Sequence, residues 1–412
     1  MWLLVLLTML LTGWTTISQA RNWHRARFGD FSYLQAGSKC LIARCDPYYY
    51  ASLNDVVAAQ HEQRGYIFPM NPVYPTSTLM VLLPFAALGW PLAAFVYTGL
   101  GGLLTALACG LVIRRFGFRL SDPVALIFVA LLAATPFSDA IDFGNPVVLD
   151  TALTTLACLL LLRDSAARSE ASDSVGWFLL GLALSLKPQL AVGPALVLFC
   201  RPESRRSAMK AGAMAIGLLL LGLAAYRLRL GTFHFLTSFR WALGLSVMPE
   251  GISDFANREA FDFLNIQVTF AAIPHLSRTA INALAWTTTG ALAAATAWIA
   301  ARTEALKKRP WTLVAIALAI SLLPVYHRGY DRVAALLLIP AAAELGLTRR
   351  WAVWLYCGLV SFWIANDTLM SHVVRRWRYK PQSPAEDVMF CLLLLASLLW
   401  TTPTRRLDSI EL

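Results

Sequence analysis

Charge is scarce in this chain. Asp, Glu, Lys and Arg make up 14% of its 412 residues, where soluble domains carry about 25%. With 58% hydrophobic residues and a mean hydropathy of +0.58, there is too little polar surface to face water. Soluble enzymes, nucleic-acid-binding domains and disordered scaffolds are therefore excluded. The weak alternating stretches that build a transmembrane β-barrel are missing as well. So are a phosphate-cradling Gly-rich loop, a Gly-x-Ser-x-Gly elbow and a His-Glu-x-x-His pair, so an ATP-driven pump and a hydrolase with a standard nucleophile have no support. No second Cys or His pair stands at ligand spacing beside His61, so neither a metal nor a cofactor is expected. Cysteines are few and scattered. Cys109, Cys158, Cys200, Cys357 and Cys391 lie in apolar runs, where a thiol acts as a small hydrophobe. Cys40 and Cys45 share a hydrophilic stretch, where they either close a short disulfide ring or remain thiols.

Long apolar runs are what the sequence has in abundance. They cover Met1 to Ala20, Leu79 to Ile113, Pro123 to Thr135, Val147 to Leu162, Val175 to Cys200, Ala211 to Ala225, Ile281 to Ala301, Trp311 to Pro324, Val333 to Ala343, Trp351 to Ile364 and Val388 to Trp400. They predict an all-α polytopic membrane protein of about ten to twelve spans, one integral domain over residues 1–412. Pro84, Pro188, Pro194, Pro324 and Pro340 interrupt or end several runs, so some helices are broken and line a cavity. The first run ends Ile17-Ser18-Gln19-Ala20 without a basic n-region, and an uncleaved helix is preferred to a removed signal peptide. Basic clusters at Arg114, Arg115 and Arg119, at Arg201 to Lys210, at Arg302 to Arg309 and at Arg349 and Arg350 mark the cytoplasmic face. The net charge of +11 is read as orientation charge in these loops. Residues 21–75 and 226–277 then form two extracytoplasmic loops, and Arg375, Arg376, Arg378 and Lys380 fall where simple alternation would put a third.

Polar residues at the membrane boundary carry the chemistry. The first is Asp30 in Gly29-Asp30-Phe31-Ser32-Tyr33, ahead of Asp46-Pro47-Tyr48-Tyr49-Tyr50 and Asn71-Pro72-Val73-Tyr74-Pro75. A carboxylate there suits taking a proton from an attacking hydroxyl while aromatic faces stack on a sugar ring. The bland alternative is a helix cap within an interfacial aromatic belt. The second is Lys187 in Leu186-Lys187-Pro188-Gln189, inside an apolar run. A buried ammonium needs an anionic partner, and a phosphate fits a helix start freed by Pro188. Two half-helices with a snorkelling lysine are the alternative. The third is Tyr326-His327-Arg328-Gly329-Tyr330-Asp331-Arg332, whose cations suit a phosphate clamp or a solvated turn. Asp139 to Pro146 reads as ordinary capping at a helix head. The second loop adds Arg240, Trp241, Asn265 and Gln267, which suit a substrate wall.

Together these motifs resemble glycosyltransferase family 87. They are Asp-Phe-x-x-Tyr after the first helix (Asp30, Phe31, Tyr33), Asp-Pro-Tyr (Asp46, Pro47, Tyr48), Tyr-Pro before the second helix (Tyr74, Pro75) and Lys-Pro-Gln (Lys187, Pro188, Gln189), in order over about Met1 to Pro340. The resemblance implies a GT-C-like membrane fold and a glycosyltransferase that moves a mannose- or arabinose-type sugar from a polyprenyl-phosphate donor to a glycan or glycolipid acceptor. It further implies a multi-pass protein of the bacterial plasma (inner) membrane, surrounded by membrane lipids, with its site on the extracytoplasmic face. Carried over residue by residue, Asp30 is the catalytic base, and Lys187, Gln189, His327 and Arg328 hold the donor phosphate. Tyr33, Tyr330, Asp331 and Asn265 line the substrate. The chain departs from the family at Gly144-Asn145-Pro146-Val147, which keeps only the Gly of Gly-Gln-x-Asn, and in its late Tyr-His-Arg-Gly-Tyr-Asp motif. A polyprenyl phosphate leaves as an anion, so single displacement with inversion needs cations for the leaving group and a base for the acceptor. A transporter or lipid flippase is the competing class, favoured only by internal repeats, and the halves show none.

Overall fold

A computed structural model of the chain describes residues 1–21, 29–49, 73–163, 168–247, 266–271, 273–324, 329–346, 350–377 and 393–396, with positions 51, 53, 55 and 56. Among these residues the chain is all-α. In chain order the helices are α1 (Trp2–Arg21), α2 (Gly29–Ala43), α3 (Thr76–Val81), α4 (Leu83–Ala86), α5 (Trp90–Phe116), α6 (Val124–Ala133), α7 (Thr135–Asp142), α8 (Val147–Leu161) and α9 (Glu170–Leu186). They continue as α10 (Pro188–Cys200), α11 (Pro202–Leu230), α12 (His234–Val247), α13 (Ile266–Ala271), α14 (Arg278–Arg302), α15 (Glu304–Lys307) and α16 (Pro310–Ser321). A 3₁₀ helix (Gly329–Leu337), α17 (Ile339–Gly346) and α18 (Arg350–Trp377) follow.

Three helical stretches among the described residues are long and apolar enough to cross a membrane: Trp90–Phe116, Val124–Asp142 and Pro202–Leu230. Shorter apolar helices join them at Trp2–Ser18, Val147–Leu161, Pro188–Cys200, Pro310–Ser321 and Trp351–Ala365. Prolines account for much of this shortening. The Val175 to Cys200 run splits at Lys187, because Pro188 lacks the N–H that would continue α9 and instead starts α10. Likewise α6 stops at Ala134, two residues before Pro136, and α7 begins on the far side. The Leu79 to Ile113 run becomes the short pair α3 and α4 followed by the long α5.

Small residues let the helices approach closely, which is how apolar helices gain packing energy where water gives none. A Cβ on Gly102 of α5 would sit 2.3 Å from Thr16 Oγ1 of α1, so the first helix is packed into the bundle. A Cβ on Gly193 of α10 would lie 2.7 Å from the Ala317 carbonyl oxygen of α16.

The first hydrophilic stretch differs from the expected loop. Residues 29–43 form α2, most of whose side chains are buried. Several of its polar groups bond inside the protein. Gln35 Nε2 donates to the carbonyls of Phe85 (2.8 Å) and Leu88 (3.2 Å), and Ser38 Oγ donates to that of Leu79 (2.8 Å). Such pairing removes most of the desolvation penalty that made the segment read as water-facing. The second stretch likewise contains α12 and α13, and α11 runs on through the buried Tyr226 to Leu230. Cys40, in the last turn of α2, and Cys45, just beyond the helix, form a disulfide (Cα–Cα 4.6 Å).

Candidate active site

Four separate stretches of chain meet around Asn145. The turn that presents it follows from local chemistry. At the end of α7, Gly144 adopts φ +63°, the Gly144 N–H reaches the Ile141 carbonyl (3.0 Å) and the Asn145 N–H reaches the Ala140 carbonyl (2.8 Å). This is a Schellman closure, which glycine at that position makes without strain. Pro146 then launches α8, and the Asn145 side-chain oxygen accepts from the Val147 N–H (2.9 Å).

Asp30 lies in the first turn of α2, where the helix dipole favours a carboxylate. Its backbone N–H donates to the Phe143 carbonyl (3.0 Å), fixing the start of α2 against the Asn145 turn. Asn145 Nδ2 then donates to Asp30 Oδ2 at 2.6 Å and to the Tyr74 hydroxyl at 3.1 Å. Burial holds the Tyr74 hydroxyl well above its ordinary pKa, and the carboxylates of Asp30 and Asp331 push the same way, so it stays a neutral phenol. Behind Asp30, Phe31 stacks on Tyr97 (4.1 Å between centroids) and on Trp90 (5.8 Å), a rigid aromatic wall.

Lys187 occupies the break between α9 and α10, buried at 4% exposure. Its ammonium donates to Asn145 Oδ1 (3.3 Å) and forms a salt bridge with Asp331, in the first turn of the 3₁₀ helix. One amide group therefore ties the carboxylate of Asp30 to the ammonium of Lys187. The carbonyls at the broken end of α9 are satisfied from α3: Ser77 Oγ donates to Ser185 (3.1 Å), and Thr78 Oγ1 to Ser185 (3.0 Å) and Leu186 (3.1 Å). Hydroxyls standing in for lost helical bonds are what make a broken helix tolerable at membrane depth.

Among the residues expected at the site, Asp30, Lys187 and Asp331 are thus brought into one network. Gln189 is half-buried in the first turn of α10 and faces a neighbouring cavity of about 950 Å³ between α10, α14 and α16. That cavity is lined mostly by apolar groups such as Val192, Leu196, Trp286 and Ala297, and its far end reaches Arg201 and Lys307. Tyr33 is buried in the packed cluster with Phe31 and Tyr48. Asn265, His327 and Arg328 lie outside the described residues, and only the backbone of Tyr330 is described. Gln267 of α13 is buried and donates to the Pro324 carbonyl (2.7 Å), tying the second hydrophilic stretch to the end of α16.

Two members of this region did not stand out in the sequence. Asn145 sits where the chain departs from the family pattern, yet it is the hub. Asp150, one turn into α8, is fully buried. Its signal was available, because an acid inside an apolar run from Val147 to Leu162 is as costly as the lysine that did draw notice. Ser77 and Thr78 gave no signal beyond their place after Tyr74-Pro75.

An all-α bundle of apolar helices, with a buried acid–amide–amine chain at the ends of broken helices, defines an integral membrane protein with a site built for polar chemistry. Residues 73–326 match the model of glycosyltransferase family 87. The match spans more than half of the chain, which belongs to this family and is a membrane glycosyltransferase. It takes in Tyr74, Asn145, Lys187 and Gln189, while Asp30 and Asp331 lie outside its bounds. No curated protein matches the chain, and no solved structure does.

Proposed function

We propose that the protein transfers a mannose- or arabinose-type sugar from a polyprenyl-phosphate donor to a glycan or glycolipid acceptor, by single displacement with inversion, on the extracytoplasmic face of a bacterial plasma membrane. The bond between the anomeric carbon and the donor phosphate breaks as the acceptor oxygen bonds to that carbon. Asp30 takes the acceptor hydroxyl's proton, and the polyprenyl phosphate departs as an anion. Lys187 and Gln189 meet that anion, with His327 and Arg328 as further donors. Tyr33, Tyr330, Asp331 and Asn265 are assigned to the sugar and acceptor side.

The observation that carries this reading is the Asn145 bridge between Asp30 and Lys187, with Gln189, two residues further on, lining a largely apolar cavity. A base and a cation held apart by one side chain leave an attack line between acceptor hydroxyl and leaving phosphate. The adjoining cavity is large enough to shelter several prenyl units, and burying each CH₂ there contributes about 0.8 kcal/mol to donor binding. The far end of the cavity meets Arg201 and Lys307, in clusters that the positive-inside rule puts in the cytoplasm, so the Lys187 end faces out. The Cys40–Cys45 disulfide fits an oxidising compartment on that same side.

The test is Asp30→Asn in purified, folded protein supplied with a polyprenyl-phosphate sugar. Transfer should fall by about 10²–10⁴-fold, the usual contribution of a positioned base. Undiminished transfer would remove Asp30 from that role.

A further inference from the structure

Asp150 is a buried acid that the proposed reaction does not use. It is fully buried, and neither carboxyl oxygen has a hydrogen-bond partner among the described residues. The Lys187 amide approaches it but is bonded to the Ala183 carbonyl at 3.1 Å. The ionisable groups around it come from several elements. Lys187 stands at the α9–α10 break, Asp331 and its buried neighbour Arg332 lie on the 3₁₀ helix, and Tyr97 lies on α5 with a buried hydroxyl. Asp139 and Asp142 of α7 lie at the same end of α8, whereas Arg115 of α5 reaches the opposite end, at the Leu162 carbonyl. Within α9, Glu170 and Asp173 sit in its first turn, far from the break.

Lys187 already has an anionic partner in Asp331, in a pair shielded from water. A second ionised carboxylate beside it, with neither oxygen hydrogen-bonded among the described residues, would have to share the Lys187 charge with Asp331, and so poorly compensated a buried group holds its proton instead. We propose that Asp150 is a positioning residue that works in its neutral form, and that its ionisation would draw the Lys187 ammonium away from the donor phosphate. This rests on the assignment of Lys187 to that phosphate. With Asp150 neutral, the carboxylate paired with Lys187 among the described residues is that of Asp331, and an arriving phosphate can share the ammonium with it. Loss of the Asp150 proton would give Lys187 two carboxylates to serve and a local field that repels an anion.

Two measurements test it. Infrared difference spectra of the resting wild-type protein, without donor, should show the carbonyl stretch of a protonated carboxylic acid at neutral pH. The band should disappear on alkaline titration and be absent from Asp150→Asn. In parallel, binding of citronellyl phosphate should weaken in the wild type relative to Asp150→Asn as the pH is raised through that same transition, by about tenfold per unit above it. The ratio of the two proteins cancels the probe's own titration. Asp150→Asn should otherwise turn over at close to the wild-type kcat. The proposal is overturned if the neutral-pH band is missing, if the wild-type-to-variant ratio is flat with pH, or if folded Asp150→Asn is inactive at every pH. The band in wild-type protein decides the matter even where the variant fails to fold. If Lys187→Met instead leaves citronellyl phosphate binding unchanged, it is the phosphate assignment that fails, while the band still reports Asp150.

Discussion

The two ends of α10 place charges for different purposes. At its start, Lys187 is buried with Asp331, the side chains 5% and 2% exposed, and is tied through Asn145 to Asp30. At its end, Arg201 pairs with Glu203 at 26% and 35% exposure and donates to the Lys307 carbonyl. Nearby, Arg168 makes a bidentate contact with Asp173 (2.9 and 2.8 Å), and Lys307 pairs with Glu304 on the surface. Charges at this end, the wetter of the two, are numerous and, apart from Arg168, partly or largely solvated; under the positive-inside rule their number rather than their geometry would matter. Those at the buried end depend on geometry. Lys187 is held by Asp331 and Asn145, and Asp30 by Asn145, so removing one member disturbs the next.

The sharpest break in this comparison comes from neutralising one cation at each end. Lys187→Met takes from the buried Asp331 the cation it is paired with and should cost about 3–5 kcal/mol, read as a large drop in unfolding temperature in detergent. Adding Asp331→Asn should recover much of that stability without restoring sugar transfer, since the cation proposed to meet the donor phosphate is still missing. A Lys187→Met protein as stable as the wild type would mean that the buried end behaves like the wet one. Asn145→Ala should rank next. It deletes the bridge and should cost about 1–3 kcal/mol, with transfer reduced about 10²-fold by the loosened placement of Asp30. A kcat unchanged in Asn145→Ala would show that Asp30 is positioned without the Asn145 amide, by contacts such as its backbone bond to Phe143.

The same contrast explains how much was readable beforehand. Asp30, Lys187 and Asp331 stand out in a linear sequence because a charge at an apolar boundary is expensive, and that cost is local. Their meeting is not local: Asp30 and Asn145 are 115 residues apart, and Lys187 and Asp331 are 144 apart. Asn145 drew attention only as a departure from the family pattern, because Gly-Asn-Pro reads as turn punctuation and nothing in the turn itself reveals that its amide has four partners. The all-α class and the division of apolar runs at Pro188 and near Pro136 were legible from hydropathy and proline chemistry. The helical state of residues 29–43 was hidden, because Gln35 and Ser38 look solvated until the carbonyls they bond to are in place.

The cavity along α10 connects the two ends and tests whether they serve one ligand. Ala297 of α14 is exposed and lines that cavity, so a larger side chain there fills space without entering a packed core. Ala297→Trp should leave stability near wild type and raise the KM for a long polyprenyl donor about tenfold or more, since excluding two CH₂ groups forfeits about 1.6 kcal/mol. A short-chain donor should be affected far less. Equal effects on both donors would mean that the cavity does not take the lipid.

The smallest effect belongs to the wet end. Glu203→Gln removes the partner of Arg201 from a pair that water already screens, and Arg201 keeps its bond to the Lys307 carbonyl. Stability should change by no more than about 1 kcal/mol, and raising the salt concentration should shrink even that difference. Transfer should be unaltered, because no group in the Asp30–Asn145–Lys187 chain loses a partner. Destabilisation on the scale of Lys187→Met would place Glu203 among the geometrically fixed charges, and the cavity would then have an anion-sensitive site at both of its ends.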